Sequence, residues 1–335
     1  MPPSLLDTFR VLASFSPERV SLKGAPWEAY VELAIAQGLG PLASYNLEYR
    51  LMGGNAPEWV RDRLSAIYAG SANDNVMKLV NFKRSIDALE GRRIIAFGGA
   101  SYAEALYPHV AFRPVLEIQM LVSRGDVDGL EGFLKQSHFR AVPQMEAATG
   151  ATRVLSDEHT ELLLYADYLG AGFEKEEAAL FERALLMRFY GPSIYRLTLE
   201  DALVLQCLEH AQLGYDVPLL SFVDLRELLT GAQHVSGNYS HPFDAVLVQA
   251  RAKAWKAERA LYASVSIVEK LFPETREAVA RAKPPLRRGT RELLDRLVVT
   301  PLSDVSQTRT FQGSERLRRL LTGGRRTLRV LENPS

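Results

Sequence analysis

Ile94-Ile95-Ala96-Phe97-Gly98-Gly99 and Val115-Leu116-Glu117-Ile118-Gln119-Met120-Leu121-Val122 decide the fold. The first is a short apolar run stopped by paired glycines, which predicts a strand and a tight turn. Ala100 to Tyr107 then has helical character and stops at Pro108. The second stretch predicts a strand over 115–122. Period two puts Leu116, Ile118, Met120 and Val122 on one face, packed against helices, and Glu117 and Gln119 on the other. Outward from there, Asp126–Gln136 reads as a helix, and His138–Val142 and Thr160–Tyr168 read as strands. This order predicts a small α+β core.

Helices flank that core on both sides. Before it, Trp27, Tyr30, Val31, Leu33 and Ala34 recur at helical spacing, and Pro41–Arg50 continues as a short helix. Pro57 starts another helix, with Val60, Leu64, Ile67 and Tyr68 on one face, and Asn75–Leu89 forms a further amphipathic one. After Glu174 the helical pattern returns. Phe181–Leu186 ends a helix, and 187–197 suits a hairpin around Gly191-Pro192. Thr198 to Asp201 suits a capping box in which Asp201 reaches back. Helices follow over 199–213, over Pro218–Leu229 and over one long span, 242–270. From residue 280 the composition turns basic, with Arg281, Lys283, Arg287, Arg288, Arg291 and Arg296 and a further run from Arg316 to Arg329. The expected division is a helical region 1–90, a core 91–197, a helical region 198–279 and a basic tail 280–335.

Bulk properties exclude several classes of function. Lys plus Arg and Asp plus Glu each number 40, so no global field draws nucleic acid or a membrane. Cys207 is the single cysteine, which excludes an internal disulfide and any zinc site built on two cysteines. The start of the chain shows no signal-peptide pattern, and the apolar runs fall short of the ~18 residues a span needs. A cytoplasmic protein is expected.

The residues that could carry chemistry lie on the two decisive segments. Gly98 and Gly99 let backbone approach a ligand closely, and the helix start behind them, with Ser101, favours a phosphate. A plain strand-to-helix turn has the same appearance. Glu117 and Gln119, two apart on one strand face, suit either a metal site or a sheet face open to water. Asp167, sharing a face with Glu161, Leu163 and Tyr165, is a reserve acid. His210 suits a core or capping role within its helix. His109, His138 and His159 lack zinc-site spacing. Cys207 reads as a small buried hydrophobe.

Taken together, these segments resemble the family of uncharacterised bacterial nucleotidyltransferases with a polymerase-beta-like core. In that family a strand, a Lys-Gly turn and a helix ending in Tyr precede Arg-Pro and an Asp-Ile-Asp-Leu-Leu-Val strand. This chain has Phe97-Gly98-Gly99, Leu106-Tyr107-Pro108, Arg113-Pro114 and Glu117-Ile118-Gln119-Met120-Leu121-Val122 in that order. Thr160-Glu161-Leu162-Leu163 stands where the family carries a third acid. Leu197 to Asp201, His210 and Leu219 to Leu225 match its later helices. The likeness spans roughly residues 25–230, and it rests on order and spacing.

The resemblance implies a mixed sheet of the nucleotidyltransferase type flanked by helical regions. It implies two Mg2+ ions held by carboxylates around a nucleoside triphosphate, with the glycine turn on the phosphates. Glu117 and Glu161 would be the metal ligands, with Gln119 beside them. The sequence departs from the pattern there. Glu117 is one methylene longer than Asp, Gln119 brings no charge, Gly98 stands for a Lys and Leu163 for a His. The expectation is a nucleotidyltransferase-family protein weakened or inactive in catalysis, a pseudoenzyme that binds a nucleotide or a protein partner. Two alternatives stay open: active Mg2+-dependent transfer of a nucleoside monophosphate to a small molecule, protein or RNA, and a helical scaffold with no nucleotide site. Nucleic acid would have only the basic tail to bind.

Overall fold

β1 (Ile94–Phe97) and β2 (Ile118–Leu121) are buried at every position and pair antiparallel, with Phe97 opposite Gln119. The computed structural model that shows this describes residues 2–299 apart from 16, 18, 19, 54, 87–91, 188–193 and 231–242. β2 is shorter than its apolar pattern predicts. The Asn75 side-chain oxygen accepts from the Val115 N–H at 2.9 Å, so that donor is taken before the strand begins. Residues 115–117 therefore form an entry segment. Leu116, expected to pack with Ile118, is instead 71% exposed.

β3 (Arg140–Ala141), β4 (Arg153–Ser156), β5 (Glu161–Tyr165), β6 (Leu185–Leu186) and β7 (Ile194–Arg196) complete a mixed sheet. Its order is β3-β4-β5-β2-β1-β7-β6. β5 lies parallel to β2 with Leu162 opposite Ile118, and β7 lies parallel to β1. The class is α+β, as the residues predict. The two short outer strands lie at the edges.

Among the described residues, α1 (Leu5–Leu12), α2 (Trp27–Ala36), α3 (Gly40–Tyr45) and α4 (Glu58–Ile86) precede the sheet. α4 is continuous where two separate helical segments were expected. Among the strands lie α5 (Gly98–Ala105), α6 (Val127–Gln136), α7 (Pro143–Thr149) and α8 (Glu174–Arg183). α8 ends at Arg183, so Leu185-Leu186 is strand and not the helix end predicted for it. The hairpin tip at Gly191-Pro192 lies outside the described residues, but its arms are paired as β6 and β7.

After the sheet come α9 (Leu199–Gln212), α10 (Leu219–Leu229), α11 (Ala245–Ala254), α12 (Glu258–Leu271), α13 (Arg276–Ala282) and α14 (Arg288–Leu294). Thr198 caps α9 by accepting from the Asp201 N–H at 3.2 Å. The Asp201 carboxylate does not reach back. It takes Arg183 at 2.5 and 2.9 Å, a stronger charge-assisted partner than a neutral N–H. The single long helix predicted over 242–270 is two, broken at Lys256, whose φ is +51°. Within the basic stretch, Leu294, Val298 and Val299 are buried in the core, and Tyr262 donates to the Asp295 carboxylate at 3.1 Å. The run from Arg316 onward lies outside the described residues.

The sheet has two packed faces. Ile94, Ala96, Ile118, Met120, Leu162 and Leu164 share a core with Leu79 and Phe82 of α4 and Leu130 of α6. Ile95, Phe97, Leu121, Leu163 and Tyr165 join the larger core built with α9 and α10. Gln119 alternates with Ile118 and Met120, so its side chain looks toward α9. Both α9 and α10 are buried along nearly their whole length.

Candidate functional site

A cleft of about 670 Å³ opens between the end of β1, the entry to β2, and helices α2, α9 and α10. Gly98, Gly99, Glu117 and Gln119 line it, as do Arg113, Gln206, Glu209 and Ser221. The expected residues thus divide. Gly98, Gly99, Glu117 and Gln119 meet on one wall. Ser101 is buried within α5 and is not on that wall. Glu161 opens β5, half-buried, and is near enough to Glu117 to raise its proton affinity, though it does not line the cleft. Asp167 lies past the end of β5 at φ +61° and pairs with Arg124, away from the cleft. It does not share a strand face with Glu161.

The glycines are required by their neighbours. Gly98 has φ +60°, and a Cβ there would come within 2.5 Å of Gln119 Oε1. A Cβ at Gly99 would strike the Arg113 guanidinium. Both effects exclude larger residues from the turn. α5 begins at Gly98 with no side-chain cap, so its first N–H groups have no capping partner from the N-cap residue.

Arg113 is held by long-range contacts on two sides. Its Nε donates to Asp224 Oδ1 at 3.0 Å and its Nη2 to Asp224 Oδ2 at 2.8 Å. Tyr107 donates to the same Asp224 Oδ1 at 2.9 Å. From the other side, Asn75 Nδ2 on α4 donates to the Arg113 and Val110 carbonyls, each at 2.7 Å. The loop into β2 is therefore pinned to α4, and its arginine to α10. Burial, then the Asp224 charge, pushes the Tyr107 phenol well above its usual range, so it remains a donor.

The centre of the site is an amide between carboxylates. Gln119 Nε2 donates to Glu209 at 3.1 Å and to Glu117 at 3.3 Å. Its Oε1 faces Gly98 and takes no hydrogen bond. Glu209 projects from α9, half-buried, and lines the cleft. Burial pushes its carboxyl up to about 7; the Gln119 bond opposes this and Glu117 adds to it. Glu117 is also raised, first by burial, against the pull of Arg113 and with a push from Glu161. On the other flank of α9, Gln206, Ser221 and His210 form a buried chain. Ser221 Oγ lies 2.5 Å from Gln206 Nε2 and 2.6 Å from His210 Nε2. His210 is a core residue, as its helix position predicts.

Glu209 is the residue that sequence reading misses. It sits in an apolar helical run, where a single acid reads as a solvated position. Tyr107, Arg113 and Asp224 fall within the matched motifs, and the structure joins them in one network. The signal for their contact was motif order, not chemistry.

The sequence model of one protein family, described as uncharacterised nucleotidyltransferase, matches residues 23–273. The chain belongs to this family. The match runs from the helices before the sheet through α12, so the cleft and each wall of it fall inside. Comparison with curated proteins finds no match, and comparison with solved structures finds none. Among the described residues of this nucleotidyltransferase-family chain, no helix is long and apolar enough to cross a membrane. No group of three or more His, Cys, Asp or Glu among them could hold a metal ion.

Proposed function

We propose that this nucleotidyltransferase-family chain binds a nucleotide in the cleft and turns it over weakly or not at all. One observation carries the reading: Gln119 directs its amide N–H groups at Glu117 and Glu209. A two-metal cage needs carboxylate oxygens converging on the ions, with near-octahedral geometry for Mg2+. Here an N–H donor stands between two acids, and the only carbonyl oxygen of that side chain is turned to Gly98. The donor set does not fit the cage that the family resemblance implies.

Features that would serve nucleotide binding remain. The uncapped start of α5 at Gly98-Gly99 offers backbone N–H groups to a phosphate, and the Arg113 fork lies against Gly99. The apolar outer wall, which includes Ile67, Val217 and Leu220, suits a base or sugar edge. A second reading, active transfer, is favoured by Glu209, which returns a carboxylate to the place where Gln119 lacks one.

Turnover separates the two. The chain is incubated with each radiolabelled triphosphate and Mg2+, and transferred label and pyrophosphate are measured. The expected result is no transfer above background. Robust Mg2+-dependent transfer that disappears in Glu161→Ala would replace this reading with the active one.

A further inference from the structure

Three large apolar side chains stand exposed around one opening. Ile35 on α2 is 45% exposed, Leu116 before β2 is 71% exposed and Leu213 at the end of α9 is 46% exposed, and all three line the cleft. Ile67, Val217 and Leu220 continue the same lining. The groove is thus assembled from several elements by tertiary packing, and apolar surface gathered at one place marks an interaction site. Acids flank it. Glu28 and Glu32 are exposed on α2, seven and three residues before Ile35 and so on its side of the helix. Exposed Asp216 lies three residues past Leu213 on the cleft lining. Arg113 also lines the cleft, but Asp224 takes its fork.

This chain carries a segment of complementary chemistry. Ser314-Glu315-Arg316-Leu317-Arg318-Arg319-Leu320-Leu321-Thr322 lies outside the described residues. In its sequence Leu317, Leu320 and Leu321 recur at i, i+3 and i+4, interleaved with three arginines and followed by Gly323-Gly324. Residues 300–335 hold seven arginines and three acids, a net +4; the whole chain is neutral, so residues 1–299 carry −4.

The tether is long enough. The described chain ends at Val299, which is buried in the core, and the turn 295–299 packs on α12. α12 in turn packs on α9 and α10, the helices that wall the cleft. Packed helices lie about 8–10 Å apart. Fifteen residues separate Val299 from Ser314, and that much extended chain spans about 50 Å. A flexible tether of this kind gives an effective concentration of about 1 mM, far above that of a second copy in dilute solution.

We propose that residues 314–322 dock in the cleft mouth of their own chain, with Leu317, Leu320 and Leu321 against Ile35, Leu116 and Leu213 and the arginines toward Glu28, Glu32 and Asp216. Apolar anchors at this spacing suit a groove between helices. The docked segment covers the entrance, and a ligand entering the cleft must displace it. The proposal concerns the groove and does not rest on nucleotide binding.

The test is limited trypsin digestion of the full chain, with no nucleotide present, read by mass spectrometry as cleavage after Arg316, Arg318 and Arg319. Leu116→Asp and Leu213→Asp alter exposed rim positions outside both cores. Cleavage at these arginines is expected to be about tenfold faster in either variant, because proteolysis follows the population of the undocked form. Cleavage after exposed Arg287 and Arg288 should keep its rate, which shows that the fold is intact. Hydrogen exchange at residues 213–217 gives the converse view. It should speed up several-fold in Leu320→Asp and slow again when a synthetic peptide of residues 311–324 is added. Equal cleavage in the unaltered chain and both rim variants overturns the proposal, as does exchange unchanged by Leu320→Asp. Protection that fades on dilution, with a dimer in sedimentation, also overturns it, in favour of a segment seated in a second copy. Because nucleotide is absent, failure here leaves the nucleotide reading to be judged by its own assay.

Discussion

Asp224 has no solvent exposure at its side chain, yet it accepts from the Arg113 fork and from the Tyr107 hydroxyl. It fixes the arginine against the Gly99 backbone, where a Cβ would not fit. Asp224→Asn halves the charge pair and leaves a guanidinium with little water. Breaking one partner of such a pair costs about 3 kcal/mol. Urea unfolding should show that loss, and nucleotide binding should fall with it because Arg113 is no longer held at the turn. Unchanged stability would mean Arg113 turns out to solvent through the cleft. None of this could be read from residue types. Tyr107 and Asp224 are 117 positions apart, and only motif order placed them in one family pattern. Gly98-Gly99 was legible as a strand-to-helix turn, because paired glycines stop an apolar run there. Glu209 was not, because a helix wheel does not say which face will meet a strand.

Elements were legible where their pattern was local. β1, β5 and α6 follow directly from apolar runs and helical spacing. β2 was read too long because its first residues look like strand while Asn75 takes the Val115 N–H. β4 was missed: its Arg153 and Ser156 ends are half-buried and polar, and only Val154 and Leu155 face a core. The break between α11 and α12 hangs on Lys256 at φ +51°, which a lysine does not announce. α9 matters most to the site because it carries Glu209 and Gln206. Its start is fixed by Thr198 alone, since Asp201 is engaged by Arg183. Thr198→Ala removes the one side-chain cap and should cost about 1 kcal/mol in thermal or urea unfolding. A cost near zero would mean the Arg183 pair, not the cap, sets the helix start.

At the scale of the molecule, the sheet is a partition. One face packs α4 and α6, and the other carries the polar cleft beneath α9 and α10. The family match runs from residue 23 to 273 and takes in α2 to α12 together with the cleft they line. At the centre of the cleft an amide lies between two acids, and on the proposed reading it stands where the family resemblance implies a metal cage. Nucleotide binding without a metal cage should not depend on Mg2+. The measurement is calorimetric titration of the purified chain with ATP, GTP, CTP and UTP, each with and without Mg2+. Saturable binding of one triphosphate is expected, with an affinity that changes little when Mg2+ is removed. Binding that requires Mg2+ and vanishes in Glu117→Ala would contradict it and restore the metal site; no binding of any triphosphate would contradict nucleotide recognition itself.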